Sequence, residues 1–162
     1  MAHPVMYDDA DPHYQRVRAL ALALPGSEMK VSHGRPAFFT TKVFAYYGGT
    51  VKGPPGSGGA GHVEHPASVL VLPDEAEARF LDQDPRAFRP AYLGVHGWYG
   101  IDVDGLDPAA ERGWDEVAEW LQSSYRLTAP GRLVRALDAA TEASADTPAD
   151  TPADVRETRR AR

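Results

Sequence analysis

The chemistry that this sequence offers is concentrated in basic and imidazole side chains between residues 30 and 52. No acidic residue occurs between Met29 and Gly61, in a chain whose formal net charge is −6. The basic residues of this stretch are Lys30, Arg35, Lys42 and Lys52. Lysine and arginine that are free of nearby carboxylates bind phosphate groups. The spacing therefore predicts a local basic surface on a chain that is acidic as a whole.

Two histidines, His33 and His96, lie next to glycines in segments that are predicted to be turns. If the two turns meet at one rim of a sheet, these histidines form a concave polar site with Arg35 and Tyr92. Arginine in such a site suits a carboxylate or phosphate ligand. The alternative is that each histidine bonds a neighbouring backbone carbonyl and only stabilises its own turn.

Signatures of known enzymes are missing from the sequence. It has no cysteine, no nucleophile elbow, no phosphate loop and no zinc-spaced cluster. His62 and His65 stand in a glycine-rich stretch without a further ligand nearby, which favours a solvated loop over a metal site. Acid–base work by the histidines with Asp102 or Asp104 is the least favoured interpretation. We expect no catalytic residues, no metal and no cofactor.

The elements that position these side chains centre on residues 31–47. Two apolar runs, Ala37–Phe39 and Val43–Tyr47, flank the polar residues Thr40, Thr41 and Lys42, which is a β-hairpin signal. Gly34 permits an unusual backbone angle in the turn before the hairpin. The hairpin is predicted to lie at the centre of the sheet.

Helices and further strands are predicted around this hairpin. Helix starts are predicted at Asp11-Pro12 and Asp107-Pro108, because aspartate is a favoured N-cap and proline is tolerated as the first helical residue. Another helix is predicted to open at Pro73-Asp74-Glu75, because acidic residues in the first turn interact favourably with the helix dipole. The second helix is expected to turn Ala76, Phe80 and Leu81 inward. Strands are predicted at Met29–Ser32, Ser68–Leu72 and Trp98–Val103, and a last helix at Gly131–Ala140. This order predicts an α+β fold in two layers, with an antiparallel β-sheet covered on one face by helices.

Length and composition divide the chain into a domain and a tail. Residues 1–140 are predicted to form one domain with a flexible Gly/Pro-rich loop at 53–66. Residues 141–162 repeat Thr-Pro-Ala-Asp and end in arginines, so we expect a disordered tail. The amino-terminal residues lack the apolar core of a signal peptide, and no segment suits a membrane span. The expectation is a cytoplasmic, monomeric protein without a membrane partner.

Five short stretches carry a family resemblance. They are LALPGSE at 22–28, HGRPAF at 33–38, KVFA at 42–45, LGVHGW at 93–98 and LQSSYRLTAP at 121–130. In this order and spacing they resemble the MmcQ/YjbR family of small bacterial proteins, over roughly Tyr14 to Leu137. The resemblance implies a CyaY-like or secretion-chaperone-like fold. It also implies the description "DNA-binding", which the family carries because of a winged arrangement of hairpins. The loop at 53–66 and the tail depart from the family pattern.

Two functions are expected on these grounds. The first is DNA binding without catalysis, by a local basic face on the β-hairpin. Its candidate residues are His33, Arg35, Lys42, Lys52, Arg89, Tyr92, His96 and Trp98. The alternatives to DNA binding are that Arg35 forms an ion pair with Asp102 or Glu28 and that Trp98 lies in the core. The second function is a module that binds a small anionic ligand or a protein partner at His33, Arg35 and His96.

Overall fold

A computed structural model of the chain describes residues 4–53 and 61–145. Within these residues the helices are α1 (Pro12–Leu22), α2 (Glu75–Leu81), α3 (Trp114–Thr128) and α4 (Gly131–Ala145). The strands are β1 (Glu28–Ser32), β2 (Arg35–Phe39), β3 (Val43–Val51), β4 (Val63–Val71), β5 (Ala87–Phe88) and β6 (Tyr99–Asp102). A 3₁₀ turn, Gly94–His96, lies between β5 and β6.

The strands form one antiparallel sheet in the order β1-β2-β3-β4-β6-β5. Strands β1, β3 and β6 therefore run in one direction, and β2, β4 and β5 run in the other. We call the end where β1 passes into β2 the upper end of the sheet, and the end where β2 passes into β3 the lower end. The predicted α+β class, with an antiparallel sheet and a layer of helices, is confirmed.

The predicted central hairpin is also confirmed. Strands β2 and β3 pair with Ala37 opposite Tyr46 and Phe38 opposite Ala45, on either side of the turn at 40–42. Phe38 and Ala45 are fully buried, whereas Tyr46 is only partly buried. The pleat directs Phe38 and Ala45 to one face and the pair Ala37 and Tyr46 to the other, where the small Ala37 is buried as well.

Helices α1 and α3 pack on the sheet through stripes of buried residues at helical spacing. The buried residues are Tyr14, Val17 and Ala21 in α1, and Trp114, Val117, Trp120, Leu121, Ser124 and Tyr125 in α3. The start of α1 is the predicted one, because Asp11 accepts a hydrogen bond from the backbone N–H of His13 at 2.9 Å and Pro12 is the first helical residue.

One buried hydroxyl joins α3 to strand β3 and to the residue that follows β4. Ser124 Oγ donates to the backbone oxygen of Phe44 at 2.5 Å and accepts a hydrogen bond from the backbone N–H of Leu72 at 2.9 Å. Hydrogen bonds to backbone groups at a packed interface favour one position of the helix over others. The polar residue inside the helix therefore fixes the position of α3 along the sheet.

The segment between β5 and β6 crosses the sheet and is anchored at both sides. The ring of Phe88 lies against the backbone of Gly100, where an added Cβ would be 2.2 Å from Phe88 Cζ. The ring of His65 stacks on Phe88 with 3.9 Å between centroids. Further along, the backbone N–H of Ala91 donates to the oxygen of Thr50 at 2.7 Å. The loop that follows β5 is thus tied to β6, β4 and β3.

The predicted helix start at Asp107-Pro108 is wrong, because α3 begins at Trp114. The carboxylate of Asp107 accepts a hydrogen bond from the backbone N–H of Ala109 at 2.9 Å, and its backbone oxygen accepts one from Trp114 Nε1 at 2.9 Å. Aspartate supports such turns as readily as it caps helices. The indole contact holds residues 107–113 as turns that end at Gly113, whose φ is 89°.

Strand β4 begins earlier than predicted. Residues 63–65 pair with residues 49–51, although the prediction placed the strand at 68–72 and a flexible loop at 53–66. The glycine- and proline-rich surroundings concealed this pairing, since such composition is typical of loops. Residues 54–60 of the predicted loop lie outside the described residues.

Two smaller expectations also change. Ala76 and Phe80, which were predicted to face inward, are both exposed, Phe80 by 76%, while Leu81 is buried as predicted. Helix α4 continues to Ala145, past the predicted domain boundary at 140, and the rest of the predicted tail lies outside the described residues. None of the helices in the described ranges is long and apolar enough to cross a lipid bilayer.

Candidate functional site

The two glycine-flanked histidines lie at opposite ends of the sheet. His33 is in the turn that joins β1 to β2, at the upper end. His96 lies before β6, next to Gly97. A Cβ added at Gly97 would be 3.6 Å from the side chain of Leu72, which follows β4 at the lower end of the sheet. Because β1 and β6 run in the same direction, the end of β1 and the start of β6 cannot share a rim. The structure therefore does not bring His33 and His96 together.

Arg35 is held in an ion pair. Its Nη2 donates to Glu64 Oε2 at 2.6 Å, and its side chain is only 12% exposed. The guanidinium lies over Gly48, where an added Cβ would be 2.4 Å from Arg35 Nη1. Glycine is favoured at position 48 because its φ is 80°, and the absence of a side chain leaves the space that the guanidinium occupies. The ion pair weighed from the sequence exists, but its partner is Glu64 rather than Asp102 or Glu28.

Arg89 is engaged in a similar way. Its Nη2 donates to Asp82 Oδ1 at 3.1 Å and to the hydroxyl of Tyr99, and its guanidinium lies 3.9 Å from the centroid of the Tyr99 ring. The Tyr99 hydroxyl also donates to Asp82, at 2.5 Å. The hydrogen bond from Tyr99 and the ion pair with Arg89 hold the pKa of Asp82 below its ordinary value. Burial and the Asp82 carboxylate raise the pKa of Tyr99.

Lys52, His62 and Tyr92 come together at the upper end of the β3–β4 hairpin, and we call these three residues the hairpin-tip cluster. Lys52 Nζ lies 5.5 Å from the centroid of the Tyr92 ring. The His62 ring is stacked on Tyr92, with 6.3 Å between centroids and 20° between planes. Tyr92 nevertheless remains 72% exposed. The cluster presents an aromatic surface beside a permanent positive charge and an imidazole.

The backbone at Tyr92 is strained. Its φ is 67°, and the backbone N–H of Leu93 donates to the oxygen of Ala91 at 2.8 Å. This places Tyr92 at the centre of a γ-turn of the rare form with positive φ. A non-glycine residue in such a conformation costs of order 1–3 kcal/mol and is often found at functional sites. The strain directs an aromatic side chain to the surface at the tip of the hairpin.

The remaining candidates lie apart from this cluster. Lys42 is exposed in the turn at the lower end, and its ammonium group has no ion-pair partner among the described residues. Trp98 is half-buried and packs edge-to-face on Tyr46 at 5.5 Å between centroids, outside the main core. His96 is exposed. Arg35 and Lys42 thus lie at opposite ends of the β2–β3 hairpin and do not form a continuous basic strip.

A histidine–aspartate pair was missed in the sequence. His65 Nδ1 lies 2.8 Å from Asp102 Oδ1, and both side chains are partly buried. The two residues are 37 positions apart. Val63 and His65 are two positions apart, which is the spacing of side chains on one face of a strand. This spacing was the sequence signal that could have extended β4 to residue 63. Recognition of β4 at residue 63 would have placed His65 beside the last strand.

The spacing of His62 and His65 does not create a joint metal site. His62 faces Tyr92, whereas His65 faces Asp102. Across residues 4–53 and 61–145, no three side chains of His, Asp or Glu converge in a way that would hold a metal ion.

An antiparallel sheet with a long central hairpin and a helical layer defines a small α+β domain. Residues 22–127 match the YjbR family, which is more than half of the 162 residues. The chain belongs to the YjbR family, so the resemblance found in the sequence is confirmed over a slightly shorter range. No curated protein and no solved structure matches the chain. The CyaY-like description therefore stays a prediction.

Proposed function

We propose that this member of the YjbR family is a non-enzymatic protein that binds DNA weakly, through unpaired bases, at the hairpin-tip cluster. The observation that carries the proposal is the exposed, strained Tyr92 beside Lys52. An aromatic ring that is held outward accepts a stacked base, and the lysine whose ammonium group lies over the ring reaches the adjoining phosphate. His62 places an imidazole against the same ring.

The hairpin-tip cluster favours single-stranded over double-stranded DNA. Each base that stacks on an aromatic side chain contributes about 1–3 kcal/mol, and only an unpaired base exposes its face. A duplex offers this protein mainly phosphates, and a chain with a formal net charge of −6 is a poor general binder of phosphates. Arg35 and Arg89 cannot compensate, since Glu64 and Asp82 neutralise them.

Binding without catalysis is favoured by the surroundings of His65. An imidazole oriented by a carboxylate is one part of a nucleophilic site, in which a hydroxyl hydrogen-bonds to the ring. The nearest hydroxyl by sequence, Ser68 Oγ, instead donates to the backbone oxygen of His65 at 2.7 Å. The His65–Asp102 pair thus serves to hold β4 against β6.

The second function expected from the sequence loses its geometric basis. A site for a small anion at His33, Arg35 and His96 requires the three side chains to converge. The sheet instead places His33 and His96 at opposite ends, and Glu64 occupies the guanidinium of Arg35.

Fluorescence anisotropy with a labelled thymidine oligonucleotide tests the DNA proposal. Tyr92→Ala is expected to remove about 1–3 kcal/mol of binding free energy. Lys52→Ala is expected to lower the slope of log K against log salt by about 0.7, the value for one phosphate of a single strand. Lys42→Ala makes the same chemical change at the opposite end of strand β3 and serves as the matched control.

Two results would contradict the proposal. One is unchanged affinity of Tyr92→Ala for the oligonucleotide, with the variant shown to be folded by circular dichroism. The other is an equal loss in Lys42→Ala and Lys52→Ala, which would indicate nonspecific attraction to any lysine. A duplex of the same length should bind more weakly than the single strand.

A further inference from the structure

A second candidate site lies beside α1 and shares no residue with the hairpin-tip cluster. It is a cavity of about 460 Å³ between the segment that precedes α1, the helix itself and strand β1. The residues that line it are Asp9, Tyr14, Gln15, Arg18 and Met29. They combine a cation, a carboxylate, a phenol, an amide and an apolar thioether.

The hydroxyl of Tyr14 is the first reason to regard this cavity as a binding site. Tyr14 is 1% exposed, and its buried hydroxyl donates a hydrogen bond to no described residue. The rings of Tyr7 and Tyr47 pack against it at 5.1 and 5.4 Å between centroids. Tyr47 has a partner of its own, since its hydroxyl donates to Asp11. A buried hydroxyl that donates to nothing is unfavourable, and an acceptor brought by a ligand would satisfy it.

The second reason is a pair of opposite charges on the same cavity. Arg18 and Asp9 both line it, yet neither forms an ion pair with the other or with another described residue. Both act on the same phenol: burial, Tyr7 and Asp9 raise the pKa of Tyr14, whereas Arg18 lowers it by its charge and by a hydrogen bond to the phenol oxygen. The segment that carries Asp9 is held in place, because Gln15 Nε2 donates to the backbone oxygen of Asp9 at 3.0 Å.

From this arrangement we infer that the cavity binds a free α-amino acid with an apolar side chain. The carboxylate of the ligand pairs with Arg18 and accepts the hydrogen bond of the Tyr14 hydroxyl. Its ammonium group pairs with Asp9, and its side chain packs on Met29. A simple anion would be repelled by Asp9, and a simple cation by Arg18, so a zwitterion is the class of small molecule that satisfies both.

We expect a movement of the Arg18 side chain, which lies beside the Tyr14 hydroxyl, to give access to that hydroxyl. Arg18 is exposed and lies one helical turn after Tyr14, so the two side chains are on the same face of α1. An exposed arginine changes rotamer within picoseconds to nanoseconds. Arg18 can therefore turn outward with the ligand carboxylate and open the path to Tyr14.

Isothermal titration calorimetry of the full chain with leucine, methionine and phenylalanine tests the inference. At least one of the three is expected to bind saturably. Leucinamide, which lacks the carboxylate, and isocaproate, which lacks the ammonium group, are expected to bind at least tenfold more weakly than leucine if leucine is the ligand. Tyr14→Phe, which keeps the ring and removes only the hydroxyl, should weaken binding about fivefold.

Arg18→Gln is expected to abolish binding, whereas Arg135→Gln, at an exposed arginine of α4, is the control and should bind as the wild type does. The inference is overturned if none of the three amino acids binds, if the two analogues bind as well as leucine, or if Tyr14→Phe leaves the affinity unchanged. Oligonucleotide binding at Tyr92 is measured separately on the same variants. Failure of one proposal is therefore distinguishable from failure of the other.

Discussion

Replacement of Gly100 with alanine tests how the segment that carries Tyr92 is anchored. A Cβ at position 100 would lie 2.2, 2.4 and 2.7 Å from three carbon atoms of the Phe88 ring. Phe88 has little freedom to move away, because it pairs with Gly100 across β5 and β6 and stacks on His65 at 3.9 Å. An extra methyl group in a packed site of this kind costs about 1–3 kcal/mol. We expect Gly100→Ala to lower the free energy of unfolding by that amount.

Urea unfolding followed by circular dichroism measures this loss as a shift of the midpoint at an unchanged slope. Gly105→Ala is the matched control, since nothing lies within 4 Å of the position of its Cβ. It is expected to be neutral or slightly stabilising, because alanine restricts the unfolded chain. Equal midpoints for the two alanine variants would refute the account of Phe88 as a rigid cover for Gly100.

A double-mutant cycle separates this clash from a general intolerance of position 100. Phe88→Ala removes the ring, so Gly100→Ala should cost much less in that background than in the wild type. The expected coupling free energy is about 0.5–3 kcal/mol, as for other residues in direct contact. Strict additivity of the two substitutions would mean that the ring and the glycine act independently.

Two further predictions concern charges. Glu64→Gln should free Arg35 and raise the slope of log K against log salt for single-stranded DNA by about 0.7. Glu75→Gln, at an exposed glutamate of α2, is the control, and an equal change of slope in this variant would contradict the prediction. Asp84→Asn should cost about 1.5–3 kcal/mol at neutral pH by urea unfolding, because the hydrogen bonds from Arg86 hold the pKa of Asp84 below 3.8 in the folded protein. The unfolded chain takes up this proton first as the pH falls below about 4. The wild type should therefore lose stability there, and the variant should lose less; parallel pH profiles would exclude this role for Asp84.

The charges that are close to Arg35 in the folded protein are not the charges that are close to it in the sequence. The stretch between Met29 and Gly61 contains no acid, and this predicted a basic surface. The sheet, however, places β4 beside β3, and Glu64 thereby reaches Arg35 from 29 positions away. Ion pairs of this kind depend on strand register, which no local count of charges reveals.

Several elements follow from the sequence because their causes are local. The hairpin at 37–47 follows from two apolar runs and a polar turn, and the start of α1 from an aspartate cap before proline. The same local rules failed at Asp107, where the indole of Trp114 bonds the backbone and extends a turn in place of a helix. They failed again at Val63, where pairing with β3 outweighed the loop-like composition around it.

The sequence by itself determined the α+β class, the central hairpin and the YjbR family, since helical period, strand alternation and short motifs are all written along the chain. Only the tertiary structure decided which side chains meet. The direction of β6 separated His33 from His96, and the γ-turn at Tyr92 brought that ring beside Lys52 and His62. The physical reason is that these contacts join residues from distant parts of the chain, and their geometry exists only once the strands have paired.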